Sequence, residues 1–334
     1  MKKVELKISE PMFSCFHSIA SAGIAASINE TSDNWYFNNT IQWHFNRKFL
    51  LGYTGFNLRV VKNQVYDNDI LTTSDFYIYN ICDCVIPLIK NLINEKIYVF
   101  ISGIDDYCVK NKCWYQKRHF RHNGLIVGYD DTDDTFICMG YNENWVYTTF
   151  KTPQKCIEDG YISAILGGRD YFCLTGLKHT WKTIELDTAL ISKNLKEYLD
   201  SDIEKYPVNQ KGMAYGVVAY DYIIMYLEKL MSKEIEHQHL DRRIFRMLWE
   251  HKRCMLLRIQ AIEKKYGWNN SLSEKYEPIV TKANTIRNMY AMHCQTFSIS
   301  LLKRIIKIIP EIKKTEIEIL KELTQKIDKE LNSL

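Results

Sequence analysis

The sequence has no apolar run that approaches the ~20 residues a membrane helix requires. Its opening residues, MKKVELKISEP, also lack the continuous apolar core of a signal peptide. The expectation is a cytoplasmic chain with no membrane partner. Charge of one sign is lacking too: 44 Lys and Arg stand against 40 Asp and Glu, a formal net charge of +4. The basic residues are interleaved with acids, so no stripe for nucleic acid is expected, while an acidic protein partner would be tolerated. The ten cysteines show no compact spacing, which argues against a disulfide framework and for free thiols that mostly serve as small core residues. Internal repeats are absent. What remains is a chain of 334 residues, 46% hydrophobic and 25% charged, long and apolar enough to bury one or two ordinary cores.

The chain changes texture near residue 178. Before it, short segments alternate. VELKI reads as a strand, and Ser14 stands as an N-cap before CFHSIASAGIAASIN, an apolar helix with Ile19, Gly23 and Ala26 on one stripe. Residues 35–75, aromatic and rich in Asn around Gly52 and Gly55, read as irregular strands and loops. Asn80 to Asn94 reads as a helix bent near Pro87, and EKIYVFIS as a buried strand ending toward Asp105 and Asp106. Further strands are expected at Trp145–Phe150 and Tyr171–Thr175, with Gly167 and Gly168 as breakers between them. Beyond residue 178, helical periodicity dominates: Asp187–Leu199, Met213–Met231, His239–Tyr266, Ser273–Ser298, and from Pro310 onward, with Pro207 and Gly267 in polar breaks. The expected division is 1–177 and 178–334. Charged positions in the second half, such as Glu250, Lys252 and Arg253, read as solvated helix surface, and His251 as facing solvent.

Chemistry concentrates at two places. The run from His119 to Asn142, HFRHNGLIVGYDDTDDTFICMGYN, enters an apolar strand at Leu125, turns through Asp and Thr, and returns from Phe136 to Met139: a β-hairpin with His122 at its mouth. Far upstream, Cys15 falls in the first turn of the expected helix, where unpaired N–H groups and the helix dipole favour a thiolate. A Cys at a helix start, followed downstream by a His opening a hairpin, is the order of a papain-like nucleophile and base.

Beyond that order, HNGLIVGYDD resembles the His strand of papain-like and C39-type peptidases. The longer stretch PLIKNLINEKIYVFISGIDDYCV…WYQKRHFRHNGLIVGYDD resembles the N-terminal domain of the butirosin-biosynthesis acyltransferase family, and DRRIFRMLWEHKRCMLLRI resembles its helical continuation. The resemblance implies an α+β fold: a papain-like domain, with an N-terminal helix packed on an antiparallel sheet, followed by a helical bundle. It implies acyl transfer from an acyl or peptidyl carrier protein thioester to a small amine or diamine. Cys15 matches the nucleophile and His122 the base. No cofactor is expected beyond phosphopantetheine on the separate carrier. The Asp or Asn that papain-like domains carry on the returning strand falls here on Cys138 or, with a longer turn, Gly140. Asn142, next on the same strand face, is taken as the third member, and Asp130 and Asp131 as turn residues. The oxyanion-hole Gln is replaced by Ser9, beside Glu10, which argues against an ordinary peptidase.

Rival readings use the same residues. A cysteine peptidase or amidohydrolase would share the dyad, and a catalytically inactive scaffold would keep only the fold. Zinc at Cys108, Cys113, His119 and His122 would need a C-x4-C-x5-H-x2-H spacing outside the usual patterns. His17, two residues from Cys15, reads as helix packing. Trp114 and Tyr115 read as a shield for a thioester, with Lys117, Arg118 and Arg121 as a docking surface for an acidic carrier. The helical half can form a homo-oligomer or cap a cleft.

Overall fold

YVFISGID and HNGLIVGYD, each apolar enough to be covered on both faces, form the middle of an antiparallel sheet in a computed structural model that describes residues 2–7, 32–51, 57–60, 71–201, 212–236 and 240–333. In chain order the elements are β1 (Lys3–Glu5), α1 (Ser32–Asn39), β2 (Trp43–Asn46), a 3₁₀ turn (Arg47–Leu51), β3 (Leu58–Val60), β4 (Leu71–Ile78), α2 (Val85–Asn94), β5 (Tyr98–Asp105), β6 (Arg121–Asp130), β7 (Thr135–Tyr141), β8 (Tyr147–Pro153), α3 (Gln154–Leu166) and β9 (Phe172–His179). They continue with α4 (Thr188–Asp200), β10 (Met213–Tyr215), α5 (Ala219–Met231), α6 (Ile244–Tyr266), α7 (Ser271–Thr296) and α8 (Ile299–Asn332). The chain is mixed α+β. Among the described residues, no helix is long and apolar enough to cross a membrane.

Two compact units emerge, Met1–Asp33 with Gln64–Ile184, and Asn34–Asn63 with Glu185–Leu334. This differs from the expected 1–177 and 178–334, because residues 34–63 belong with the second unit. Their ties explain it. There β2 pairs with β10 and β3 in a three-stranded sheet, and the Trp43 indole donates to Gly216 O at 2.7 Å. The buried Arg258 guanidinium caps the last carbonyls around α1, reaching Phe37 O at 2.7 Å, Tyr36 O at 3.2 Å and Thr40 O at 3.1 Å.

The first unit carries a seven-stranded sheet in the order β4-β9-β5-β6-β7-β8, with β1 added beside β6. Every pairing in it is antiparallel. Its core joins Ile89 and Ile93 of α2 and Ile157 and Tyr161 of α3 to Val99, Ile101, Ile126 and Phe136 of the strands. Burying such side chains contributes about 1.5–3 kcal/mol each before ordering entropy is counted. The register of β5 on β6 shifts between Ile101 and Ile104. Gly103 makes that bulge possible: its φ is +74°, and the Arg169 guanidinium occupies the space of a would-be Cβ. Past the bulge, Ile104 stands opposite His122 and Asp105 opposite Arg121. The irregularity therefore sets the end of β5 against the start of the hairpin.

The second unit packs α6 on α7, α7 on α8, and α8 on α4 and α5. Several expectations shift here and in the first unit. Met213–Met231 is not one helix, since Gly216 at φ +56° breaks it into β10, a 3₁₀ turn and α5. Pro310 does not start a helix but lies inside α8, whose apolar stripe from Leu302 to Ile327 packs well enough to absorb one lost hydrogen bond. The sequence reading missed α3 altogether, because QKCIEDGYISAIL carries Gly160 and a weakly segregated polar face. Gly160 is where Ile104 approaches, 2.7 Å from a would-be Cβ, so close packing takes the place of periodicity. Glu250, His251 and Lys252 are buried rather than solvated.

Candidate functional site

Asp105 and Asp106 leave β5 side by side and do different work. One Asp105 oxygen accepts the backbone N–H groups of Tyr107 and Phe120, each at 3.1 Å, and so fastens both ends of the 107–120 loop. The other accepts from Ser163 on α3 and lies 2.6 Å from His119 Nδ1, also 2.6 Å from the Ser163 hydroxyl. Burial works to raise this carboxyl, but the bonds from Ser163, His119, Tyr107 and Phe120 outweigh it and hold Asp105 below the ordinary value. The His119 ring stacks on Tyr107 at 4.3 Å between centroids. Asp105, His119 and Ser163 line an open cleft of about 960 Å³ together with Phe120, Arg121 and Leu166.

Asp106 is the carboxylate beside the candidate base. The Asp106 N–H bonds Phe120 O at 2.9 Å, continuing the strand pair past β5. This places Asp106 Oδ2 3.8 Å from His122 Nδ1. The His122 side chain is 22% exposed and that of Asp106 only 2%. Burial pushes the Asp106 carboxyl up to about 6; Lys112 opposes this and the charge of Asp105 adds to it. Against the same histidine lies a small cavity of about 10 Å³, room for one water, lined by Phe100, Leu125, Met139, Tyr141 and Tyr147.

Aromatic rings continue from the histidine in a row. Phe120 lies 5.5 Å from His122, Trp114 6.0 Å from Phe120, and Trp145 5.7 Å from Trp114. These edge and tilted contacts form an apolar row of rings, with Phe120 and Trp145 exposed. Of the expected docking cations, all exposed, Arg118 sits 5.7 Å over the Trp114 ring. Arg121 donates to Gly167 O at the end of α3.

Asn142 does not take the orienting place expected of it. Its side-chain oxygen accepts from the N–H groups of Asn144 at 2.9 Å and Val146 at 3.0 Å, closing the turn between β7 and β8. A two-residue periodicity carried past Tyr141 assumed strand geometry where the strand has already ended. Cys138, at the other position considered, is a buried neutral thiol pushed up to about 12 by desolvation. Asp130 is the last residue of β6 and Asp131 the first of the turn after it, and each has a cation partner, Lys151 at 3.2 Å and Lys90 at 2.7 Å. Asp106 was legible as a residue but not as a partner, since its side chain reaches His122 only through strand pairing.

Cys15, the helix expected after Ser14, and Ser9, Glu10, His17, Gly52 and Gly55 lie outside the described residues. Among the described residues, no group of three or more His, Cys, Asp or Glu side chains is placed to hold a metal ion. His119 turns to Asp105 and His122 to Asp106, while burial keeps Cys108 and Cys113 as neutral thiols. The four residues of the zinc reading therefore serve separate neighbours. Compared with known proteins, the chain matches no family model and no curated sequence, so the meaning of this arrangement rests on its own geometry.

Proposed function

We propose that the chain is a thiol-dependent acyltransferase, an amide synthetase of papain-like type that works in peptide-like natural-product biosynthesis. Cys15 is the nucleophile, His122 the base, and Asp106 takes the orienting place first given to Asn142. The observation that carries this reading is the buried Asp106 carboxylate at Nδ1 of a histidine that opens an antiparallel hairpin. Hydrogen bonds of catalytic dyads are often long before substrate binds, and 3.8 Å lies in reach of closure once the imidazole is charged.

The donor is an acyl or peptidyl carrier thioester. The Cys15 thiolate attacks its carbonyl, the thioester C–S bond breaks, and the imidazolium of His122 protonates the departing phosphopantetheine thiol. A small amine or diamine then attacks the acyl-Cys15 carbonyl and gives its proton to His122, the C–S bond to Cys15 breaks, and the amide departs, leaving the Cys15 thiolate beside the His122 imidazolium. Water would instead give the acid, the outcome for a peptidase or amidohydrolase. The row of Phe120, Trp114 and Trp145 supports the amine reading, because an intermediate held against apolar surface is shielded from bulk water. In size and organisation the chain resembles the amide synthetase of closthioamide assembly, within the butirosin-type family. That family continues as a helical bundle, and the helices from Thr188 onward support that part of the reading.

Intact mass spectrometry after incubation with loaded carrier proteins tests the reading. Wild type gains the acyl mass and Cys15→Ala does not; an adduct that persists in Cys15→Ala overturns the nucleophile. With a diamine present, amide is the expected major product. Free acid alone would make the protein a hydrolase.

A further inference from the structure

Lys112 is a buried cation that the reaction as written does not use. Only 4% of its side chain is exposed, and among the described residues Nζ has no hydrogen-bond partner. A buried ammonium in that condition is costly, so its placement calls for a reason. The chain delivers it locally. Val109 N–H bonds Asp106 O at 3.2 Å and Lys112 N–H bonds Val109 O at 3.2 Å, so two consecutive turns bring the lysine back to the residue that left β5. Gly140 leaves room for it, since a Cβ there would stand 3.2 Å from Nζ. The Phe150 ring lies 5.7 Å away.

The partner is Asp106, but the contact is incomplete. Nζ stands 3.7 Å from Oδ1, beyond hydrogen-bond length, and among the described residues Oδ1 itself finds no hydrogen-bond partner. The other oxygen faces His122 Nδ1 at 3.8 Å. One carboxylate thus stands between a cation and an imidazole that becomes a cation when it takes the thiol proton. We infer that Lys112 is a positioning residue: its ammonium keeps Asp106 a carboxylate and in reach of His122. This rests on the reading of His122 as the base.

Among the described residues, the charged and titratable groups facing Asp106 are Lys112, His122, Asp105 and Cys113. Burial favours the protonated acid and the charge of Asp105 adds to that, while Lys112 opposes both. Cys113 and Cys138, which also lie near the pair, are neutral thiols and bring no charge. Removing Lys112 therefore removes the cation that favours ionisation.

The test is a ¹³C NMR titration of aspartate-labelled full-length protein, with the Asp106 signal assigned through Asp106→Asn. Wild type should titrate near pH 6. In Lys112→Met the midpoint should rise by about one pH unit or more, roughly a tenfold loss of carboxylate at a given lower pH. The acid limb of Cys15 alkylation by iodoacetamide should move with it, which a merely structural role would not produce. An unmoved midpoint in folded Lys112→Met overturns the inference. A moved midpoint in a chain that never forms an acyl-enzyme leaves the inference standing and overturns the acyltransferase reading instead. If Lys112→Met does not fold, the wild-type titration decides: a carboxyl still protonated at about pH 7.5 overturns the inference, and one ionised below it supports it.

Discussion

Each unit buries a lysine beside a carboxylate, and the two pairs are satisfied to opposite degrees. In the second unit, Lys252 Nζ donates to both Glu316 oxygens at 2.8 and 2.9 Å, to the Tyr198 hydroxyl at 3.1 Å and to His251 Nδ1 at 3.1 Å. The ammonium also sits 3.9 Å over the Trp43 ring. Glu316 accepts from the hydroxyls of Tyr198, Tyr220 and Tyr276 as well. His251 Nε2 donates to Ile41 O at 2.7 Å, which leaves Nδ1 as the acceptor for Lys252 and makes the ring neutral. Burial and the adjacent ammonium hold that histidine well below its ordinary value. In the first unit, Lys112 and Asp106 each keep a polar atom without a hydrogen bond among the described residues. The closed network has no capacity left for a further group and acts to specify packing. The open pair has capacity, and His122 stands beside it.

The comparison breaks most visibly if the closed network is cut. Glu316→Ala leaves a buried ammonium and three tyrosine hydroxyls without their acceptor, and should destabilise the second unit by about 3–5 kcal/mol in urea unfolding. A loss below about 1 kcal/mol would mean that water replaces the carboxylate readily and that the network is not closed.

Asp106→Asn should answer in rate. Acyl loading of Cys15 is expected to fall about 10²-fold, because the imidazolium loses its counter-charge. In wild type, loading should decline as pH falls through about 6, where Asp106 takes up its proton. Stability should run the other way. The folded carboxyl binds its proton more tightly than the unfolded one, whose ordinary value is 3.8, so Asp106 makes the fold less stable as pH rises from about 4 to about 6. Asp106→Asn removes that slope. Urea unfolding at several pH values in this window, beside single-turnover loading, reads both, and parallel slopes for rate and stability would sink the account.

The smallest effect belongs to Asn142→Ala. It removes the two turn bonds to Asn144 and Val146 and should lower stability by about 0.5–1.5 kcal/mol while leaving the loading rate unchanged. A drop in rate with unchanged stability would return the orienting role to Asn142 and erase the contrast between Asp106 and a turn residue.

The sequence alone announced a strand in EKIYVFIS, the hairpin carrying His122, and the separation of a strand-rich first part from helices. These depend on period-two and period-3.6 patterns and on turn residues, all of which act between near neighbours in the chain. Other features stayed hidden because their partners are distant. Glu250, His251 and Lys252 read as solvated surface, since nothing within α6 shows that Glu316, 64 positions from Lys252, will meet the ammonium. Residues 35–75 read as irregular strands and loops, because the place of residues 34–51 is decided by the pairing of β2 with β10 and by Arg258. Asp106 became the neighbour of His122 through the β5 bulge at Gly103 and the register it sets on β6. Local chemistry determined the strand and hairpin around His122 and most of the helices beyond residue 187. Only the tertiary structure decided which carboxylate stands beside that histidine, because side-chain proximity across a sheet depends on register, and register is a property of two strands together.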